Sequence, residues 1–160
     1  MAYWFTADTH FGHTNIVKYQ KRPFKSVEQM DEIIIKKWNE RVKPNDTVFH
    51  LGDFSFKGGY QKYKQRLNGN IILLHGNHDD DVSIIEDMTI EHGGKMWYMI
   101  HIPPEIQEAD FCLCGHIHKE WKIKRDGNKV MVNVGVDVWD YSPISIHHIL
   151  KAIQTKKEEL

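Results

Sequence analysis

Five clusters of histidine, aspartate and asparagine follow short apolar runs along this chain. The clusters are Asp8-x-His10, Gly52-Asp53, Gly76-Asn77-His78-Asp79, His101 and Gly115-His116-Ile117-His118. Imidazole nitrogens together with carboxylate and amide oxygens suit borderline or harder divalent metals such as Mn, Fe, Ni or Zn. The 11 histidines among 160 residues are the unusual feature of the composition. The residue types and their spacing therefore indicate a site for divalent transition-metal ions.

The apolar runs that precede these clusters predict the strands that must position them. Residues 3–7, 47–51 and 71–74 are short, apolar and followed by polar loops, which is typical of buried strands. After the first run, Ser26 and Gln29 form a capping box, and the helix that starts there is expected to end before Pro44. Strands that alternate with helices form a layered α/β sheet, and ligands bind at the C-terminal ends of its strands. We therefore expect the five clusters to meet at one rim.

The second half of the chain changes character and predicts strands joined by short connections. Residues 95–100, 111–114, 120–125 and 129–134 are strand-like, and Asp126-Gly127 supplies a hairpin turn. We expect these strands to pair antiparallel with their neighbours in sequence. A last helix is predicted from Ser145. The length favours a single domain over residues 1–160.

The five clusters also follow the order of motifs in a known enzyme family. That order is D-x-H, G-D, G-N-H-[D/E], a single H and G-H-x-H, and every block is present between residues 8 and 118. The sequence therefore resembles the calcineurin-like metallophosphoesterases. Two further stretches, Phe11-Gly12-His13-x-Asn15-Ile16 and Arg22-Pro23-Phe24, are similar to a small bacterial and phage-type branch of predicted phosphoesterases. The resemblance implies an α/β fold of the layered α-β-β-α type, with mixed sheets, helices outside and the metal site at the strand ends.

The resemblance implies a role for each matching residue. The implied ligands are Asp8, His10 and His118 for one ion, Asn77, His101 and His116 for the other, and Asp53 as the bridge between them. Two ions in such a site acidify a shared water, so that a metal-bridging hydroxide attacks the phosphate. His78 would donate to a phosphate oxygen or protonate the departing alkoxide, with Asp79 as its orienting partner. The implied cofactors are two divalent ions, Mn, Fe, Ni or Zn.

The residues that follow the first ligand loop include candidates for contact with substrate. His13 and Asn15 come directly after that loop and are expected at the rim of the pocket. Arg22 offers a planar fork of donors that can clamp a phosphate, and the alternative is a solvated basic segment. Trp139 and Tyr141 are candidates for stacking on a base, although aromatic residues ahead of a helix more often pack in the core.

Charge and hydropathy exclude several classes of protein. Lys and Arg number 21 and Asp and Glu number 22, which gives a formal net charge of −1, so no extended nucleic-acid surface is expected. No apolar run approaches the about 18 residues of a membrane span, and no secretory signal precedes Asp8. We therefore expect a cytoplasmic protein. Cys112 and Cys114 alternate on one predicted strand, which is poor disulfide geometry, and are expected as reduced thiols.

These features together predict a metal-dependent phosphoric ester hydrolase. Its expected substrates are small phosphate esters, nucleotides among them. Diesters are favoured because so short a chain has little material for a lid over the cleft. A phosphomonoesterase and a nuclease for short oligonucleotides are alternatives on the same site. A non-catalytic binding scaffold is a further alternative, which the complete set of motifs disfavours.

Overall fold

The three strands of the first half form a parallel sheet. The computed structural model describes residues 1–79 and 82–159, with side chains as far as residue 155. The strands are β1 (Tyr3–Thr6), β2 (Thr47–His50) and β3 (Asn70–Leu73), in the order β1-β2-β3. Thr6 pairs with His50, and His50 pairs with Leu73. The C-terminal ends of the three strands are therefore level, and the loops that follow them leave from one edge of the sheet.

Five strands of the second half form a mixed sheet. They are β4 (Asp87–His92), β5 (Lys95–Ile100), β6 (Phe111–Cys114), β7 (Ile123–Asp126) and β8 (Lys129–Asn133), in the spatial order β4-β5-β6-β8-β7. β4 with β5 and β7 with β8 are antiparallel hairpins, whereas β5, β6 and β8 run parallel. The antiparallel pairing predicted for β6 is therefore wrong. Residues 101–110 bring the chain back to the edge at which β5 begins, so β6 runs parallel to β5. β8 lies between β6 and β7.

Among the residues that the structure describes, four helices and one 3-10 turn complete the fold. They are α1 (Thr14–Tyr19), α2 (Val27–Arg41), α3 (Tyr60–Lys64), the 3-10 turn Val136–Val138 and α4 (Ile146–Glu159). The predicted start of α2 is confirmed, because Ser26 Oγ accepts from Gln29 N at 3.1 Å and Gln29 Oε1 accepts from Lys25 N at 2.7 Å. α2 ends ahead of Pro44, as the sequence predicts.

Two hydrophobic cores hold the layers together. One lies between the sheets and includes the fully buried Phe5, Leu51, Trp97, Leu113 and Ile149. The other lies between the parallel sheet and helices α1 to α3 and includes Met30, Ile34, Trp38, Phe54 and Tyr63. Each large apolar side chain buried in this way contributes about 1.5–3 kcal/mol, so the cores fix the sheets relative to each other. The predicted α/β architecture of two sheets with helices outside is confirmed.

The outer face of the mixed sheet carries both cysteines. Cys112 and Cys114 pack with Met131, and Tyr98 and Trp121 cover them in part. Both thiols are free and buried, and burial raises the pKa of Cys112 to about 12. Among the described residues, neither thiol belongs to a group that could hold a metal ion.

Candidate metal centre

The polar clusters predicted at the strand ends meet at one rim of the two sheets. Within the described part of the chain, three groups of side chains place their ligand atoms within 4.8 Å of one another. The groups are Asp8, His10 and His118; Asp53, His101 and His116; and His10, Asp53 and His78. The first two groups correspond to the two predicted ligand sets, with Asp53 in the second. The fold thus brings together the six predicted histidine and aspartate ligands, from loops of both sheets.

Asn77, the remaining predicted ligand, is exposed on the loop after β3. It precedes His78, whose backbone N–H donates to Asp53 Oδ1 at 3.0 Å. This hydrogen bond holds the loop of Asn77 against the rest of the centre.

Asp53 lies between the two ligand sets. Its Oδ2 is 3.6 Å from His10 Nε2 and 3.3 Å from His101 Nε2. Two donors that share one ion, with bond lengths of about 2.0–2.2 Å, stand roughly 3–3.5 Å apart, so both separations are close to those of shared ions. Burial alone would raise the pKa of Asp53, but the neighbouring His101 and His10 rings hold it well below its usual range. The carboxylate is therefore ionised at neutral pH, as a bridge between cations must be.

Several buried atoms at the centre have no hydrogen-bond partner. Within the described residues they include Asp8 Oδ1, His10 Nε2 and His101 Nε2. A buried polar atom left unpaired costs about 1–3 kcal/mol, and a charged one costs more. Burial also raises the pKa of Asp8 to about 6. A cation in contact with these atoms removes the cost, so this donor set fits divalent metal ions.

Hydrogen bonds orient the histidine rings from the side away from the centre. His101 Nδ1 lies 2.6 Å from the Leu51 carbonyl oxygen, and because a carbonyl only accepts, Nδ1 carries a proton. His118 Nδ1 donates to Asp137 Oδ2 at 2.8 Å. In both rings Nε2 is left to face a metal, the usual arrangement of metal-binding histidines. Burial would lower the pKa of His101, but Asp53 raises it to about 9, so an incoming ion must displace a proton there.

The backbone at the ligands adopts a conformation that residues other than glycine rarely take. Five predicted ligands have positive φ: 56° at Asp8, 51° at His10, 57° at Asp53, 74° at His116 and 50° at His118. The left-handed region costs roughly 1–2 kcal/mol per residue, and strain of this kind clusters at functional sites. The fold therefore holds these side chains in position at a cost in stability.

Two glycines let neighbouring loops approach the centre closely. A Cβ at Gly76 would lie 2.5 Å from the backbone nitrogen of Asp53, and a Cβ at Gly52 would lie 2.5 Å from His101 Nδ1. Gly52 also has a φ of +102°, which any other residue would adopt only with strain. The close approach of the loops after β2, β3 and β5 therefore requires glycine at both positions.

Asp79 supports the ligand loops and not the ring of His78. Its buried carboxylate accepts from the backbone N–H groups of Asp53 at 2.6 Å, Gly76 at 2.8 Å and Phe54 at 3.2 Å. Burial raises the pKa of this carboxyl group. The prediction that Asp79 orients His78 is therefore corrected. Its hydrogen bonds tie the loop after β3 to the loop after β2.

Arg22 is buried behind the first ligand loop. Its guanidinium pairs with Asp137 through Nε and Nη2 at 2.9 and 3.0 Å, and both side chains are fully covered. Nη1 donates to the Thr9 carbonyl at 2.9 Å, and Nη2 donates to the Asp8 carbonyl at 2.6 Å. The phosphate clamp predicted for Arg22 does not agree with this placement, because groups of the protein occupy its fork of donors. The solvated alternative does not agree either.

His13 adjoins the centre, whereas Asn15 lies on the exposed first turn of α1. The half-buried His13 ring places Nδ1 3.4 Å from His10 Nδ1. Its ring centroid is 5.6 Å from that of the exposed His78. Burial lowers the pKa of His13, so its imidazole is neutral at neutral pH.

Asp31, Asn133 and Asp137 support the ligand loops, and the sequence does not single them out for this role. Asp31 Oδ1 accepts from Gly12 N at 3.0 Å, two residues after His10. Asn133 Nδ2 donates to the His118 carbonyl at 2.8 Å. Each of the three lies in a different part of the chain from the loop that it supports, and no local pattern marks it.

Comparisons with known proteins identify the family of this chain. The profile of the calcineurin-like phosphoesterase superfamily domain matches residues 1–143. The chain belongs to this superfamily. An uncharacterized protein of Methanocaldococcus jannaschii is 34% identical to it, over 96% of this chain and 92% of that protein. The Gene 66 protein of Mycobacterium phage L5 is 24% identical, over 85% of this chain and 86% of that protein.

The similarity to a solved structure covers almost the whole chain. A protein of unknown function from Aquifex aeolicus superimposes with a TM-score of 0.74 and 30% identity, over 94% of this chain and 98% of that chain. Membership of the superfamily supports a metal-dependent hydrolase that acts on phosphate esters. In the described parts of this phosphoesterase domain, no helix combines the length and apolar character that a bilayer crossing demands.

Proposed function

We propose that the chain is a dinuclear metal-dependent phosphoesterase that hydrolyses small phosphate esters, with diesters preferred. The observation that carries the proposal is the position of Asp53 Oδ2, which lies within 3.6 Å of nitrogens on His10 and His101, one from each ligand set. A shared ligand between two cations is a feature of two-metal hydrolytic sites. Phosphomonoesterase and short-oligonucleotide nuclease activity are the alternatives on the same site.

The residues present fit two divalent transition-metal ions, Mn, Fe, Ni or Zn. Asp8, His10 and His118 would hold one ion, His101, His116 and Asn77 the other, and Asp53 both. When bound, such ions supply a hydroxide nucleophile at neutral pH and positive charge for the phosphate oxygens. The unpartnered buried atoms of Asp8, His10 and His101 support this assignment.

His78 is the proposed catalytic residue of this chain. Its side chain is exposed, while its backbone hydrogen bond to Asp53 holds the loop at the centre. Its ring centroid is 5.5 Å from that of His10. An imidazole in this position can reach a phosphate oxygen or deliver a proton to the leaving alkoxide. Asp79 acts as a positioning residue, since its carboxylate holds the backbone at Asp53 and Gly76.

The exposure of the site supports small diesters as substrates. Asn77 and His78 are exposed, and His13, His116 and His118 are only half-buried. A site this open would leave space for the second alcohol group of a diester. The net charge of −1 provides no field for a long polyanion, so small esters, including nucleotides, are the proposed substrates.

A hydrolysis panel with reconstituted metals tests the proposal. Chelator-stripped protein is reloaded with Mn, Fe, Ni or Zn and offered bis-p-nitrophenyl phosphate, p-nitrophenyl phosphate, and 2′,3′- and 3′,5′-cyclic nucleotides. We expect hydrolysis only after reloading, two ions per chain at full activity, and faster turnover of diesters. Faster turnover of the monoester would favour a phosphomonoesterase, and a steep loss of activity with salt would indicate a nucleic-acid substrate. Two bound ions without hydrolysis would favour a binding scaffold.

We also propose that the protein works in a reducing compartment, the cytoplasm. Cys112 and Cys114 are both free and buried. Disulfides form and persist in oxidising compartments, and two unpaired thiols on one strand fit a reducing one. Localisation of a tagged chain in its own cell tests this placement.

A further inference from the structure

Phe56 places an exposed aromatic ring beside the proposed phosphoesterase site. The side chain is 55% exposed, whereas the nearby Phe54 and Phe11 are fully buried. Its ring centroid lies 5.5 Å from that of His13, with an angle of 38° between the planes. We call these two rings the Phe56–His13 shelf. An exposed aromatic ring next to a polar site is available for contact with a ligand.

His13 connects the shelf to the reacting centre. Its ring centroid is 5.4 Å from that of His10 and 5.6 Å from that of His78. His10 is a proposed metal ligand, and His78 is the proposed donor to the leaving alkoxide. The shelf therefore adjoins the side of the site where the proposed proton donor His78 would meet the leaving alcohol of the ester.

The backbone at Phe56 is fixed, so the exposed ring projects from a firm base. Phe56 N donates to the Phe11 carbonyl at 2.8 Å, and Gly59 N donates to the Phe56 carbonyl at 3.0 Å. Phe11 in turn stacks on the ring of Tyr63 in the core, with 4.9 Å between centroids. A ring carried on an ordered backbone loses less entropy when a ligand stacks on it than a ring on a mobile loop.

The other aromatic candidates for stacking are engaged elsewhere. Tyr141 is 7% exposed and packs edge-on against Phe24, at 4.9 Å between centroids. The Trp139 ring lies under Lys122 Nζ at 3.9 Å, and its indole N–H donates to the Asn133 carbonyl. Phe56 is therefore a better candidate for stacking than Trp139 and Tyr141, which the sequence suggested.

We propose that the Phe56–His13 shelf binds the base of a nucleoside phosphate ester. The inference rests on the proposed function, because it takes the phosphate to lie at the metal centre. With the phosphate between Asp53 and His78, the ribose extends past His13 and the base stacks on Phe56. Stacking on an aromatic side chain tolerates every base, since each has a π face. The substrates are then small nucleotide esters with little selection among bases.

Ester pairs that differ only in the base test the shelf. The metal-loaded protein is given 2′,3′-cyclic AMP against ribose 2,3-cyclic phosphate, and AMP against ribose 5-phosphate. We expect wild-type kcat/KM to favour the nucleotide of a hydrolysed pair by on the order of five- to a hundredfold, the range of base stacking on an aromatic ring. Phe56→Ala should bring that preference close to one, mainly through KM, and Phe56→Trp should retain it.

Met96→Ala is the matched control for loss of an exposed apolar side chain. Met96 is 57% exposed and lies at the opposite end of β5 from His101. Its removal should leave the preference for the nucleotide unchanged, and the Tm of Phe56→Ala should match that of wild type. A preference that survives in Phe56→Ala overturns the shelf and leaves the proposed function intact.

Calorimetry separates a failure of the shelf from a failure of the proposed function. If the metal-loaded wild type hydrolyses none of the four esters, the phosphoesterase proposal fails for them, and AMP and ribose 5-phosphate are compared as ligands. Tighter binding of AMP that is lost in Phe56→Ala supports the shelf as a nucleotide site. Equal binding of the two ligands by the wild type overturns it.

Discussion

Arg22 and Asp137, 115 residues apart in the chain, form a bidentate ion pair that is fully covered by the fold. Asp137 Oδ2 also accepts from His118 Nδ1 at 2.8 Å, and Arg22 Nη2 donates to the Asp8 carbonyl at 2.6 Å. The pair therefore touches a loop from each sheet. Arg22 contacts Asp8 directly and His118 through Asp137, and Asp8 and His118 belong to the same predicted ligand set.

Replacement of Arg22 tests this role in stability. Arg22→Met leaves a buried carboxylate without its partner and should lower the free energy of unfolding by about 3–5 kcal/mol. Arg22→Lys keeps the charge but lacks the planar fork, so its loss should be smaller. The control is Arg66→Lys, at an exposed pair with Glu32, which should change stability by no more than about 0.5 kcal/mol. Chemical denaturation with chelator present measures all three variants.

A loss of activity without a loss of stability in Arg22→Lys would contradict the structural role of Arg22. Wild-type stability and metal content combined with a much lower kcat/KM on phosphate esters would mean that the guanidinium reaches the substrate. In that case the phosphate clamp predicted from the sequence would be right.

Asp137→Asn should remove one ion through the tautomer of His118. The oxygen of the new asparagine can still accept from Arg22. In that orientation the asparagine NH2 group faces His118 Nδ1. The ring then carries its proton on Nε2, the nitrogen that faces the centre, and cannot bind a metal there. We expect the ion of the Asp8 set to be lost and the ion of the His101 set to remain, measured by elemental analysis and by ¹⁵N NMR of the ring.

A control for the lost charge is Asp140→Asn, since the Asp140 side chain is 89% exposed. This variant should keep both ions. Retention of both ions in Asp137→Asn, with His118 still protonated at Nδ1, would show that the carboxylate does not set the tautomer.

His78→Ala should lower kcat by on the order of a hundredfold while metal content stays at the wild-type level, because the proposed role of His78 is proton donation. His147→Ala, at an exposed histidine of α4, is the control and should keep wild-type kcat. Asp53→Asn should instead deplete metal, because the bridge loses its charge. Steady-state kinetics and elemental analysis distinguish the two outcomes. Loss of metal in His78→Ala would make His78 a ligand, as its group with His10 and Asp53 allows.

Protonation of Asp46 should make the fold less stable in acid. Its carboxylate accepts from the backbone N–H groups of Lys43 and Ala2 and from the indole of Trp4, which lowers its pKa to about 2. A pKa below the ordinary value of 3.8 stabilises the fold above that value, and the contribution is lost as the pH falls toward 2. Asp46→Asn should therefore have a lower free energy of unfolding than wild type at pH 7. The difference between the two proteins should be smaller at pH 3. Urea denaturation with chelator measures both, and a gap that does not change with pH would contradict the assignment.

The grouped ligands could be predicted from the sequence because each directly follows a strand that its own apolar residues indicate. Asp8 and Asp53 each follow an apolar strand, and parallel strands that end level bring such residues together whatever the intervening helices do. The same holds for His101 and His116, which follow the parallel strands β5 and β6.

The supporting contacts could not be predicted because they join distant parts of the chain. A basic residue in a loop, such as Arg22, has the same local pattern whether it faces solvent, substrate or a buried Asp137. The elements without a strong apolar pattern were also beyond prediction. β4 buries none of its side chains fully, and α1 buries only Ile16.

The two predicted ligand sets draw on both sheets, and this determines when during synthesis the centre can be completed. A chain made as far as β3 has Asp8, His10 and Asp53 but completes neither set. The missing ligands arrive with His101, His116 and His118, and His116 N reaches Asp8 Oδ2 across 108 residues of chain. On the proposed ligand assignment, full loading with metal would therefore be one of the last events of folding. An ion bound there would link ligands from the first and second halves of the chain. Metal binding would therefore report that the two sheets have packed together.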